Sequence, residues 1–175
     1  MNVGSSAERT LSVTRSIHEM PFCSNIVDLP ISDALPSDSP PRTAGVNASQ
    51  IRMLAESAAA LPPIVIHRET MHVVDGWHRL CTAQLRGETT IAAALFDGGP
   101  AGAFVLAMKL NTAHGLPLSL ADRKVATLRM LSLYPQWSDR AIAAVAGISH
   151  KTAGVLRRRS TGENLQSTER IARNM

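Results

Sequence analysis

Aromatic residues make up only 3% of this 175-residue chain. That scarcity argues against a surface for single-stranded nucleic acid, which relies on rows of aromatic stacking platforms. Cysteine is rarer still. Cys23 and Cys81 are two and far apart, so they make no disulfide framework and are expected as free thiols in a reducing compartment. Long apolar runs are missing too, the stretch Ile142 to Ile148 being typical and far too short to span a bilayer. The first residues lack the basic start and apolar core of a signal peptide, which leads to the expectation of a cytoplasmic protein. Hydrophobic residues, at 45%, suffice for the core of one ordinary domain or two small ones.

Charge is placed unevenly. From Leu120 onward ten Lys and Arg stand against four Asp and Glu, and before it eight against ten, so the net +4 is +6 at the C-terminal end and −2 elsewhere. A basic segment of this kind is the electrostatic footprint of phosphate binding.

Within that segment the residues from Ser138 to Arg159 spell two short capped helices around a glycine turn. Ser138 caps the first helix, and Asp139 adds negative charge where the helix dipole favours it. Ile142 and Ala146 fall four apart on one face, and Ala143 is small enough to let a second helix cross closely. Gly147 supplies the turn and Ser149 the second cap. In the second helix Ala153 and Leu156 are expected to face inward, leaving His150, Lys151, Gly154, Val155 and Arg158 outward. The pattern reads as a helix-turn-helix, whose second helix lies in the major groove of duplex DNA with its N-terminal residues near base edges. His150 and Lys151 are the candidate base readers and Arg157, Arg158 and Arg159 the candidate phosphate clamps. Ser149, Thr152, Gly154 and Val155 complete the expected contact set. The competing reading is an alanine-rich helical hairpin with a solvated basic end.

Residues 1–24 carry no sustained periodicity and are expected to form a flexible tail, followed by a short strand from Ile26 to Ile31. Residues 37–42, with two adjacent prolines, read as a loop. Asn47 or Ser49 can cap a helix carrying Ile51, Leu54 and Ala58 that ends before Pro62 and Pro63. The runs Pro63 to Ile66 and Met71 to Val74 predict a hairpin, Gly76 opens a helix through Leu85, and Thr90 to Phe96 predicts a buried strand. Helices are expected from Pro100 to Leu110 and from Ser119 to Leu133. The fold class is therefore α+β. A small mixed domain over residues 25–99 is followed by an all-helical DNA-binding domain over 100–160 and a tail over 161–175.

A second site stands between hairpin and helix, at Asp75-Gly76-Trp77-His78-Arg79. Gly76 permits close backbone approach, a helix N-terminus presents unpaired N–H groups, and His78 and Arg79 add cationic donors, so an anion fits there. A structural role is the alternative, with Trp77 packing and Arg79 paired to Asp75 or Glu56. The segment from Asn111 to Arg123 likewise reads as an interhelical loop in which Ser119 caps the next helix.

These pieces, in this order, resemble the ParB family of partition proteins over roughly residues 26 to 160. Pro41-Arg42, Leu54 to Ser57, Pro63 to Ile66 and Gly76 to Arg79 stand where that family has an extended proline-arginine segment, a helix, a hairpin and a Gly-Glu-Arg-Arg box. Asn111 to His114 matches its second phosphate box in part. The chain is similar, more closely, to the StrR-like branch of pathway-specific transcriptional activators of antibiotic gene clusters. That likeness covers Arg52 to Ser57, Asp75 to Arg79, Ala113 to Arg123 and Pro135 to Ala143. It implies a ParB- and sulfiredoxin-like mixed domain, a sequence-specific DNA-binding activator and a nucleoid-associated location.

It also implies a nucleotide or phosphate site at Arg42, Gly76, Trp77, His78, Arg79, Asn111 and His114, taking a CTP-like nucleotide with magnesium. Here Trp77 stands for the family's Glu, His78 for an Arg and His114 for the final Arg of the second box. The alternative implied function is a partition or clamp protein whose DNA binding CTP controls. A more distant one is a phosphoryl-transfer enzyme of the free-serine-kinase type, with Asp75 or Glu56 as base and Arg79 as clamp. No catalytic residue is assigned on the main reading.

His67, His72, His78 and Cys81 cluster in sequence, but the residues read as two hairpin-flanking side chains and a small core thiol, and no metal site is expected. A single helix-turn-helix reads little DNA, so a homodimer on a repeated half-site is expected. Related proteins tend to continue beyond the point corresponding to Met175, which raises the expectation that a dimerisation part lies outside this sequence.

Overall fold

A computed structural model of the chain describes residues 23–37, 47–57, 59–113 and 118–162. Its sheet has four strands, β1 (Cys23–Pro30), β2 (Ile64–His67), β3 (Val73–Asp75) and β4 (Thr90–Phe96), in the order β1-β4-β2-β3. β4 runs antiparallel to β1 and parallel to β2, and β3 closes the hairpin with β2. All four residues of β2 are buried, as a strand covered on both faces requires.

The alternation of side chains sorts the strands between two cores. Ile64 and Ile66 of β2 and Ile91 and Ala93 of β4 meet Leu80 and Ala83 of helix α2 (Trp77–Leu85) on one face. Val65, Ala94 and Phe96 face the other way, toward Leu106, Ala107 and Leu110 of helix α3 (Pro100–Ala113). Helix α1 (Ala48–Glu56) lies beside α2, capped by Asn47, whose side chain accepts the Gln50 N–H at 3.2 Å.

α3 packs on two sides at once, which explains why its sequence is apolar nearly all round. Opposite the sheet it sends Phe104, Val105 and Met108 into a third core with Met130 of α4 (Leu120–Leu133) and Ile142 and Ala146 of α5 (Asp139–Ala146). α6 (His150–Ser160) crosses α5 and α4. The helical part expected from residue 100 thus begins with a helix that the sheet shares. Met108, Met130 and Ile142 are fully buried, so truncating Ile142 to Ala costs about 2–5 kcal/mol.

Other boundaries moved slightly. The strand expected from Ile26 to Ile31 starts at Cys23 and stops at Pro30, and Ile31 instead opens a 3-10 turn to Asp33 with its side chain in the core. α3 runs three residues past Leu110. Among the described residues no helix is long and apolar enough to cross a membrane.

Candidate nucleic-acid interface

The helix-turn-helix is built by local rules. Ser138 accepts the Ala141 N–H at 3.2 Å to start α5, and Gly147, at φ 65°, ends it in the left-handed region, where a residue without Cβ is least strained. Ser149 then accepts the Thr152 N–H at 3.1 Å to start α6. Ile142, Ala143, Ala146 and Ala153 are buried between the helices, and Leu156 packs beside them.

The turn is also clamped from outside. Arg123 of α4 donates to the Leu118 and Gly147 carbonyls, both at 3.0 Å, and the Thr112 hydroxyl lies 3.3 Å from the Val145 carbonyl. Sequence reasoning passed over Arg123, because its partner is 24 residues away and nothing local announces it.

α6 divides its expected contact residues into two groups. His150, Lys151, Val155, Arg158 and Arg159 are exposed. Among the described residues the side chains of Lys151 and Arg158 make no ion pair or hydrogen bond, although the Arg158 carbonyl accepts from the Thr161 hydroxyl at 3.2 Å. Thr152 is half-buried, its hydroxyl 2.9 Å from that of Ser149.

Two expectations of orientation need correcting. Gly154 does not look outward; it is buried, and a Cβ there would stand 2.8 Å from an Asp139 carboxylate oxygen. Glycine is what lets α6 pass so close to the start of α5. Arg157 does not extend to solvent as a phosphate clamp. Its guanidinium donates to Asp139 at 2.7 Å, to the Pro135 carbonyl at 3.0 Å and to the Trp137 carbonyl at 2.5 Å. Those bonds tie the end of α6 to the entry of α5, where Trp137 stacks on Tyr134 with ring centroids 4.4 Å apart.

At the other candidate site the cations are likewise turned inward. Gly76 caps α2 at φ 100°, and a Cβ there would meet Ile64 at 2.6 Å and the Arg79 guanidinium at 2.8 Å. The close approach expected of a ligand is made by Arg79 itself. Arg79 donates to Asp75 at 2.5 Å and to the Pro63 and Pro62 carbonyls at 2.9 and 3.4 Å, which is the structural alternative weighed from sequence, with Asp75 rather than Glu56 as partner. The His78 ring accepts the Asn47 N–H at 3.0 Å, joining α2 to the start of α1. Trp77 packs at the edge of the sheet core. Asn111 donates to the Ala107 carbonyl of its own helix at 2.9 Å. Arg42 and His114 lie outside the described residues.

Arg86, another residue without a sequence signal, donates to the Leu54 carbonyl at 2.7 Å and to the Ser57 and Ala59 carbonyls, closing the end of α1. Cys81 is a free, half-buried thiol whose pKa burial pushes up. Among the described residues no group of three His, Cys, Asp or Glu is placed to hold a metal ion.

A four-stranded sheet unit joined through a shared helix to a helix-turn-helix is a fold that this chain shares with solved ParB structures. Two solved structures share the fold, a Pnob8-like ParB-N domain (TM-score 0.56, 13% identity, 80% of this chain and 71% of that one) and the C-terminally truncated chromosome-partitioning protein ParB of Caulobacter crescentus complexed to the centromeric parS site (TM-score 0.55, 18% identity, 75% and 70%).

In sequence the chain is similar to two curated regulatory proteins of Streptomyces. It is 48% identical over 167 residues to a possible regulatory protein of the streptomycin biosynthesis operon of Streptomyces griseus, and 50% identical over 117 residues to the transcriptional regulator NovG of Streptomyces niveus. Those matches cover 95% and 67% of this chain but only 47% and 37% of the relatives, so the chain spans less than half the length of either. No protein-family profile matches it.

Proposed function

We propose that this chain binds duplex DNA at specific sites through α6 and regulates transcription of an antibiotic biosynthesis cluster, as an activator. The observation that carries the reading is the outer face of α6, where Lys151 and Arg158 stand exposed on a helix whose start Ser149 caps and whose base α5 fixes. A fixed helix with unspent donors is what a major groove can accept. The names of both relatives support a regulator rather than an enzyme, and two copies on a repeated half-site would supply the contacts that one short helix lacks. Association with the nucleoid follows from DNA binding.

The nucleotide-controlled alternative draws no support from the α2 corner, since Arg79 has its donors on Asp75, Pro62 and Pro63 and His78 uses a ring nitrogen on Asn47.

The test is a fluorescence titration of the chain against the DNA upstream of its own gene and against a scrambled duplex of equal length. Specific DNA is expected to bind roughly a thousandfold or more tighter. Lys151→Ala is expected to remove about tenfold or more of that affinity through a lost base contact. Equal affinity for the two duplexes contradicts sequence-specific recognition.

A further inference from the structure

We infer that Val155 is a specificity-determining residue of α6, and that each DNA half-site places a thymine 5-methyl group against it. The inference rests on the DNA-binding reading above and concerns which chemical group in the groove that face selects.

At 100° per residue, Lys151, Val155 and Arg158 share an arc of about 60° on α6. Val155 lies at one edge of that arc, about 160° round the helix from Ala153 and about 100° from Leu156, which pack inward. It is 37% exposed, and the side chains beside it on that arc are both cations. Val155 is not among the residues packed in the core beneath α6, and a valine is a weaker helix former than the lysines and arginines around it.

Its chemistry is that of a short, stiff apolar group. Val holds largely one rotamer in a helix, so its two methyls are already fixed when DNA arrives. The major groove offers one apolar feature, the thymine methyl; its other readable groups are hydrogen-bond donors and acceptors, which a valine cannot satisfy. Pressed against any of those, Val155 would desolvate a polar group without replacing its bond. Lys151 suits guanine acceptors. Four residues along a helix advance about 6 Å, against about 3.4 Å per base-pair step. The thymine therefore lies within about two steps of the base that Lys151 reads.

The experiment uses a duplex that the 175-residue chain itself enriches from a random-sequence pool. Each thymine is replaced singly by deoxyuridine, which pairs identically and lacks only the methyl, and affinity is measured for the wild type and Val155→Ala. One thymine in each half-site is expected to weaken wild-type binding about fourfold when demethylated, the worth of roughly one buried methyl. Val155→Ala is expected to bind the thymine and uracil duplexes equally. Alanine at an exposed helical position favours folding, so the variant remains a fair test.

An enriched duplex indifferent to every uracil substitution, or a fourfold loss that persists in Val155→Ala, overturns this inference while the DNA-binding reading survives. A chain that enriches no sequence overturns both.

Discussion

Two helices of this protein begin at a cap with basic side chains close behind, α2 at Gly76 and α6 at Ser149, and they spend those side chains differently. At α2 the guanidinium of Arg79 folds back onto Asp75 and two proline carbonyls, filling the space that Gly76 leaves open. At α6 one arginine, Arg157, folds back in the same manner onto Asp139 and two carbonyls, while Lys151, Arg158 and Arg159 stay in solvent. A cation in a motif is evidence for a phosphate or a base only when its donors are unspent. By that test the α6 face suits the proposed binding surface, and the α2 corner is a joint holding the sheet, α1 and α2 together.

The comparison can be broken first at Gly76. Its positive φ strains any side chain, and the Cβ of Gly76→Ala would press on Ile64, so a loss of about 3 kcal/mol is expected in urea unfolding. A neutral result there would mean that the corner is open enough to admit a ligand. Next in size is Arg79→Ala, which leaves a half-buried carboxylate and two carbonyls without their donor and is expected to cost about 2 kcal/mol. If the melt is unchanged, Arg79 is not a joint.

The smallest effect is a control from an exposed pair, Arg68 with Asp97. The side-chain hydrogen bond from Arg68 holds the Asp97 carboxyl below its ordinary pKa. The folded protein therefore binds that proton less readily than the unfolded chain does. The pair's contribution is complete above the ordinary carboxylate range and is lost as pH falls through the lower folded value. Because the pair is solvent-screened, Asp97→Asn is expected to flatten the acid limb of the stability curve only slightly. An acid limb that Asp97→Asn flattens strongly would contradict a solvent-screened pair.

Much of this was legible in the sequence, for a physical reason. Caps and turns are local, so Ser138, Gly147 and Ser149 announced the helix-turn-helix, and the β-rich runs at β2 and β3 and the apolar composition of β4 announced strands. What stayed hidden was non-local. The strand order, with β4 between β1 and β2, depends on pairings dozens of residues apart. Arg86, Arg123 and Arg157 reach carbonyls 20 to 32 residues away, and no spacing rule marks an arginine for that task. Gly154 misled because its helical position is near the edge of the outward face; the closeness of Asp139 decides that it is buried.

The most direct test of the split within α6 is the salt dependence of DNA affinity for Arg157→Ala and Arg158→Ala, measured at a temperature where both are folded. A side chain that neutralises a phosphate contributes about 0.9 to the slope of log K against log salt. The account predicts that Arg158→Ala lowers the slope by about that amount, whereas Arg157→Ala keeps the wild-type slope and lowers the unfolding midpoint instead. A slope that drops in Arg157→Ala with the unfolding midpoint unchanged would contradict it.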